Sequence, residues 1–211
     1  MKKLIISILS IIFVFNVAQA DVKIGISGTG TSFTDAKGSE EHKGNVTSEK
    51  DTLEAAFGSI FVEASVLDLF SIGFDYIPYT IEGETVENVS RNAVGGLIAT
   101  NRATVDIEEH KTLYVLVPFG ATGVYGKLGA SHADVDVSTD NTAGTTYSDE
   151  ELLGGHLSLG YEKDFSMLFV RAEAGLSHYG TVESESSSKN NRIKATLGDG
   201  IHARISVGKS F

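Results

Sequence analysis

Cysteine and tryptophan are both missing from this chain of 211 residues, and proline occurs only twice. Without a thiol there is no disulfide framework, and Cys-dependent metal or redox chemistry is excluded. After the first twenty residues no continuous apolar run approaches the roughly 18 to 20 residues that a spanning helix needs. Any crossing of a bilayer by the later chain therefore falls to a closed β-barrel. Positive charge is scarce as well: 17 Lys and Arg against 28 Asp and Glu give a formal charge of −11. With no basic patch to neutralise phosphates, nucleic acid is excluded as a partner.

What is present begins with residues 1–20. Lys2 and Lys3 precede an uncharged stretch from Leu4 to Val17 and the small-x-small triplet Ala18-Gln19-Ala20, the layout of a cleaved secretory signal peptide. Its removal leaves residues 21–211 as one domain, and the loss of two lysines takes the charge from −11 to −13. The 23 glycines, with many Ser and Thr, suit long twisted strands with small inward residues.

Period-two alternation runs through that domain and predicts eight strands. In the first, Val22, Ile24 and Ile26 oppose Lys23, Gly25, Ser27 and Thr29. The second sets Ile60, Val62 and Ala64 against Ser59, Phe61, Glu63 and Ser65, and after a reversal near Leu67-Asp68 the third sets Phe70, Ile72, Phe74 and Tyr76 against Ser71, Gly73 and Asp75. The fourth, about Thr104 to Val117, has no readable facing, because Leu113 to Val117 are all apolar. In the fifth, Val124, Gly126, Leu128 and Ala130 oppose Tyr125, Lys127, Gly129 and Ser131. The sixth and seventh point Leu153, Gly155, Leu157, Leu159 and Tyr161, then Leu168, Val170, Ala172, Ala174 and Leu176, outward. Their inward sets are Gly154, His156, Ser158 and Gly160, then Phe169, Arg171, Glu173 and Ser177. In the last, Ile193, Ala195, Leu197, Ile201, Ala203, Ile205 and Val207 share one face, and His202, Arg204, Ser206, Gly208 and Ser210 the other.

Long polar connections (Thr34 to Asp51, Thr80 to Arg102, Asp136 to Glu150, Thr181 to Asn191) alternate with short links. A bacterial outer-membrane barrel segregates its loops in this way. In lipid an unpaired strand edge leaves backbone groups unsatisfied, so the eighth strand must close on the first. The expected fold is an all-β, eight-stranded antiparallel up-and-down transmembrane β-barrel, with a lumen just wide enough for side chains to fill.

A lumen polar network of Glu63, Lys127, His156, Ser158, Arg171, Glu173, His202 and Arg204 is expected, since buried charges must be paired. A two-residue turn at Asp164-Phe165 would set His156 opposite Glu173, Ser158 opposite Arg171 and Gly160 opposite Phe169. Gly73, Gly129, Gly154, Gly160 and Gly175 are small and inward, which leaves a narrow pore or a small-molecule-binding lumen as an alternative.

Gly155-His156-Leu157-Ser158 resembles part of the His-x-Ser motif of the outer-membrane lipid A deacylases, which implies Ser158, His156 and Glu173 as nucleophile, base and orienting carboxylate. Here Leu159-Gly160-Tyr161 stands where that family has Asn-Ala-Gly, and the alternation points these side chains into the lumen rather than toward lipid. No catalytic residue, metal or cofactor is expected. The glycines between Gly25 and Gly30 lack the ending of a phosphate loop. The run Asp134, Asp136, Asp140 lacks the glycine and glutamate of a calcium loop. His42, His110, His132 and His178 have no metal-ligand spacing.

As a whole, residues 21–211 resemble the small outer-membrane barrel group of the opacity-type adhesins, the OmpX/Ail-like proteins and the barrel half of OmpA. The resemblance rests on the signal layout, the eight-strand pattern, Val124 to Gly129 and Ile205 to Phe211. It implies residence in the outer membrane among lipid and lipopolysaccharide, with Val207 and Phe211 forming the signal read by the barrel-assembly machinery. It also implies a structural or adhesin-like role, with acidic outer loops meeting a host or cell-surface ligand.

Overall fold

The computed structural model describes residues 21–42, 45–66, 69–83, 85–91, 98–140, 147–187 and 191–211. The signal segment 1–20 and the reversal at Leu67-Asp68 lie outside the described residues. Nine strands are described: β1 (Val22–His42), β2 (Asn45–Val66), β3 (Phe70–Tyr76), β4 (Thr85–Arg91), β5 (Ile98–Pro118), β6 (Val124–Asp140), β7 (Glu150–Phe165), β8 (Leu168–Glu185) and β9 (Asn191–Ser210).

Each pairs antiparallel with its neighbours in the order β3-β2-β1-β9-β8-β7-β6-β5-β4, and β3 also pairs with β5. The ring is thereby closed with eight wall positions, β3 and β4 sharing one of them. β1 meets β9 from Lys23 opposite Ser210 to His42 opposite Asn191, so the first and last strands are zipped along their length.

The wall alternates as the period-two pattern predicts. Ile24, Ile26, Ile60, Leu113, Leu128, Leu157, Leu159, Ile201 and Ile205 are exposed on the outside, while Ser27, Ser59, Glu63, Lys127, Ser158, Arg171 and Glu173 are buried inside. β5, unreadable in sequence, buries Tyr114 and Leu116 and exposes Leu113, Val115 and Val117.

Three expectations are corrected. The β7–β8 turn falls at Ser166-Met167, where Ser166 takes φ 62°, rather than at Asp164-Phe165. His156 therefore faces Ser177, Ser158 faces Gly175 and Gly160 faces Glu173. Moving a turn by two residues keeps every side chain on its face and exchanges every partner.

The single facing assigned to the last strand also fails above Gly198, whose φ of +69° marks a local irregularity. Val182 pairs with Ala195 and Ser184 with Ile193, and both Val182 and Ser184 are buried, so the upper odd residues turn inward. Leu197 packs against the buried core of Phe33, Leu152 and Val182.

Thirdly, among the described residues the four polar connections are largely strand: β1 and β2 continue to His42 opposite Asn45, and β8 and β9 to Glu185 opposite Arg192. Paired backbone in these segments satisfies its own polar groups, so a polar composition does not by itself make a loop.

Candidate functional site: the lumen

Two layers fill the interior. Toward the end with the chain termini and short turns the lumen is ionic. Arg171 Nη1 and Nη2 donate to Glu63 Oε2 and Oε1 at 2.7 and 2.9 Å, and its Nε donates to Glu162, which also binds Lys23. Lys127 pairs with Glu173, whose Oε1 accepts from the Tyr125 hydroxyl at 2.7 Å. Arg204 pairs with Asp75, whose Oδ2 accepts from Ser59 Oγ at 2.9 Å. Phe61, Phe169 and Tyr125 lie against the Arg171 guanidinium, with centroids 5.8, 4.8 and 5.5 Å from Cζ. Charges removed from water persist only when paired and hydrogen-bonded in this manner.

Inward glycines make room for large rings on the neighbouring strands. A Cβ on Gly73 would overlap the Tyr114 ring, one on Gly160 the Tyr125 ring, and one on Gly154 the Tyr179 ring. Large rings from neighbouring strands occupy the gaps that the sequence leaves.

Above the ions runs a hydrogen-bonded chain of histidines and hydroxyls. His156 Nε2 lies 2.8 Å from Ser131 Oγ, and His156 Nδ1 lies 3.1 Å from Ser177 Oγ. Ser177 Oγ lies 2.8 Å from His202 Nδ1, and His202 Nε2 lies 2.9 Å from Ser158 Oγ. His110 Nε2 adds a 2.8 Å contact to the Tyr179 hydroxyl. Higher still the lumen turns apolar, with Phe33, Ala133, Val135, Val137, Leu152, Tyr179 and Val182 buried together.

The hydrolase arrangement is not assembled. Ser158 contacts His202 rather than His156, and Glu173 is engaged by Lys127 and Tyr125. All three side chains face the lumen, but His156 bonds to Ser131 and Ser177 and His202 to Ser177 and Ser158, so among the described residues no carboxylate is hydrogen-bonded to either histidine.

The eight residues singled out in sequence thus lie on the lumen side in two neighbouring groups, ionic and histidine-hydroxyl. Asp75, Glu162, Tyr114, Tyr125, His110 and Tyr179 join them without having been singled out. Strand parity marks Asp75 from Ser71 and Gly73, and Glu162 from His156, Ser158 and Gly160. His110 is displaced in phase by Glu109, whose φ of 50° shifts the β5–β6 register between Glu108 and Lys111.

Outside the apolar wall, Lys50 bonds to Asp35 and holds that exposed carboxyl below its ordinary value. Partial desolvation, the neighbouring Asp149 charge and a hydrogen bond with it hold the Asp136 carboxyl above its own.

No family model and no curated relative matches the chain. Among solved structures it is similar to the outer membrane protein OprG from Pseudomonas aeruginosa, at 12% identity over 91% of this chain and 96% of that one, TM-score 0.48. It is similar also to the outer membrane protease OmpT from Escherichia coli, at 10% identity over 90% and 97%, TM-score 0.47. A third is Ail, the attachment invasion locus protein of Yersinia pestis, at 10% identity over 90% and 98%, TM-score 0.37. At these identities and TM-scores none of the three assigns a role to this chain. With its own pairing closed through β1–β9 and β3–β5, this chain is an eight-stranded antiparallel β-barrel.

Proposed function

We propose that the protein is a non-enzymatic, integral outer-membrane barrel, sealed along its axis, that carries four acidic strand-borne projections into the medium. Residues 1–20 direct its export, and Val207 and Phe211 form part of the strand read by the barrel-assembly machinery. Membrane lipid and lipopolysaccharide surround its apolar wall, and a cell-surface ligand meets the projections. The apolar outer wall supports the membrane placement: Ile24, Leu128, Leu157, Ile205 and their neighbours are exposed to a degree that water does not favour.

One observation carries the sealed reading. Arg171, held by Glu63 and Glu162, is buried in the lumen beside the Lys127–Glu173 and Arg204–Asp75 pairs, and this ionic layer supports a filled cross-section. Specificity then belongs to the projections, which carry acids such as Asp35, Asp51, Asp106, Asp136 and Glu151.

Planar-bilayer recording tests this directly. Protein whose folding is verified by the different gel mobility of unheated and boiled samples is expected to give a flat trace. Discrete single-channel steps would overturn the sealed reading.

A further inference from the structure

The spacing Lys-x-Phe occurs at the ends of two strands, as Lys163-Asp164-Phe165 in β7 and as Lys209-Ser210-Phe211 at the end of β9. These strands flank β8 at the end of the barrel that carries the chain termini and the short turns. Lys163 stands opposite Val170 and Lys209 opposite Leu168, while Val170 also faces Val207 and Leu168 also faces Phe165. Partners in a ladder share a face, so both lysines belong to the outer wall, where Val170, Val207, Leu168, Phe165 and Phe211 are exposed.

Each ammonium group lies over the ring that follows it. Lys163 Nζ is 5.4 Å from the Phe165 centroid, and Lys209 Nζ is 4.7 Å from that of Phe211. Neither has a carboxylate partner among the described residues, whereas Lys50, Lys111 and Arg192 pair with Asp35, Glu109 and Glu183. Acids at this level are turned the other way: Glu162 bonds to Arg171 and Lys23 inside, and Asp164 stands opposite the buried Phe169. Two strand spacings, about 10 Å, and an offset of two residues, about 7 Å, put the two lysine Cα atoms about 12 Å apart. From there both long side chains reach over the Leu168 and Val170 surface between them.

We propose that Lys163 and Lys209 bind the phosphate of an anionic phospholipid, of the phosphatidylglycerol class, in the leaflet on the short-turn side. The site presupposes the membrane placement proposed above and adds to it the headgroup that this part of the wall selects. Both ammonium groups stand at the edge of the apolar wall, where headgroup phosphates lie, and the acyl chains follow Leu168, Val170 and Val207 toward the bilayer centre. A zwitterionic headgroup neutralises its phosphate with its own ammonium group. A glycerol headgroup leaves that charge to the lysines, and basic side chains at a membrane surface recognise this difference. With a formal charge of −11 the chain has no general attraction for anionic lipid, so such a preference is local.

The test uses the full barrel, refolded into vesicles of phosphatidylglycerol and phosphatidylcholine in equal amounts with matched acyl chains. Native mass spectrometry after extraction in mild detergent counts the lipid retained on it. The parent is expected to retain phosphatidylglycerol in preference. Lys163→Gln and Lys209→Gln each lower that preference about fivefold, the scale of one lysine at an anionic surface, and the double variant retains the two lipids equally. Lys163→Arg/Lys209→Arg keeps the preference, as does Lys37→Gln, which removes an exposed lysine of β1 far from this end. Should the double glutamine variant fail to fold, the single variants decide. A parent without a heat-modifiable gel band in vesicles overturns the membrane placement, and the site with it. A parent that inserts yet retains both lipids equally, glutamine variants that keep the full preference, or an equal loss in Lys37→Gln would overturn the site alone.

Discussion

Arg171 and Glu63, 108 positions apart in sequence, meet inside the barrel through two parallel hydrogen bonds of 2.7 and 2.9 Å, and each is only 2% exposed. Such a pair is costly to break and far less costly to remove, because what destabilises is the charge left behind. Glu63→Leu leaves the guanidinium with Glu162 alone and is expected to destabilise the barrel by about 3 to 5 kcal/mol. The double variant Glu63→Leu/Arg171→Met leaves Glu162 its bond to Lys23 and recovers most of that loss. Urea unfolding in lipid vesicles measures both, and a double variant no more stable than the single one refutes the account.

Gly160 and Gly30 separate the two sides of the wall. At Gly160 a methyl group would collide with the Tyr125 ring, whose hydroxyl bonds to Glu173, whereas at Gly30 it would meet nothing within 4 Å. Gly160→Ala should therefore cost about 1 to 3 kcal/mol through displaced packing, and Gly30→Ala should stay within about 0.5 kcal/mol. The same unfolding titration compares them. Equal midpoints for the two variants contradict the ring-over-glycine packing.

Much of the wall was legible because facing in a strand depends only on parity. Lys127, Arg171, Glu173 and Arg204 can be placed inward without knowing which residue stands opposite. Register is a different quantity: the β7–β8 turn lies two residues beyond its expected place, so Gly160 and not His156 faces Glu173. Two positive-φ residues, Glu109 and Gly198, mark where parity breaks, and no polar or apolar letter signals them. Above those points Leu197 enters the lumen and His110 takes up its place beside Tyr179, so the apolar upper layer was the part least readable in sequence. The continuous apolar run Leu113 to Val117 concealed Tyr114 for a related reason, since two faces that are both apolar erase the alternation.

The His156-Leu157-Ser158 segment has a chemical consequence that is simple to check. With Ser158 bonded to His202 and the acid Glu173 committed to Lys127, purified barrel incubated with lipopolysaccharide is expected to leave the acyl pattern unchanged by mass spectrometry. Loss of an acyl chain that is abolished by Ser158→Ala would reverse this expectation.

Beyond the apolar wall, Asp136 and Asp149 bring two carboxyl groups together where β6 and β7 leave the barrel. Partial desolvation and the Asp149 charge raise the Asp136 carboxyl above its ordinary value in the folded state. The folded hairpin consequently holds more proton than the unfolded one between the ordinary and the raised values, and its stability falls as pH rises through that window. At neutral pH the strand ends carry a like-charge penalty that acid relieves. Asp136→Asn removes the penalty without adding volume, so amides around Val135 and Val137 should exchange more slowly in the variant than in the parent at about pH 7. At about pH 4, close to the ordinary carboxylate range, the difference should shrink. Because both proteins are compared at one pH, the intrinsic pH dependence of exchange cancels, and a difference that is absent at both values, or larger in acid, would show that the two carboxyl groups do not repel across the β6–β7 pair.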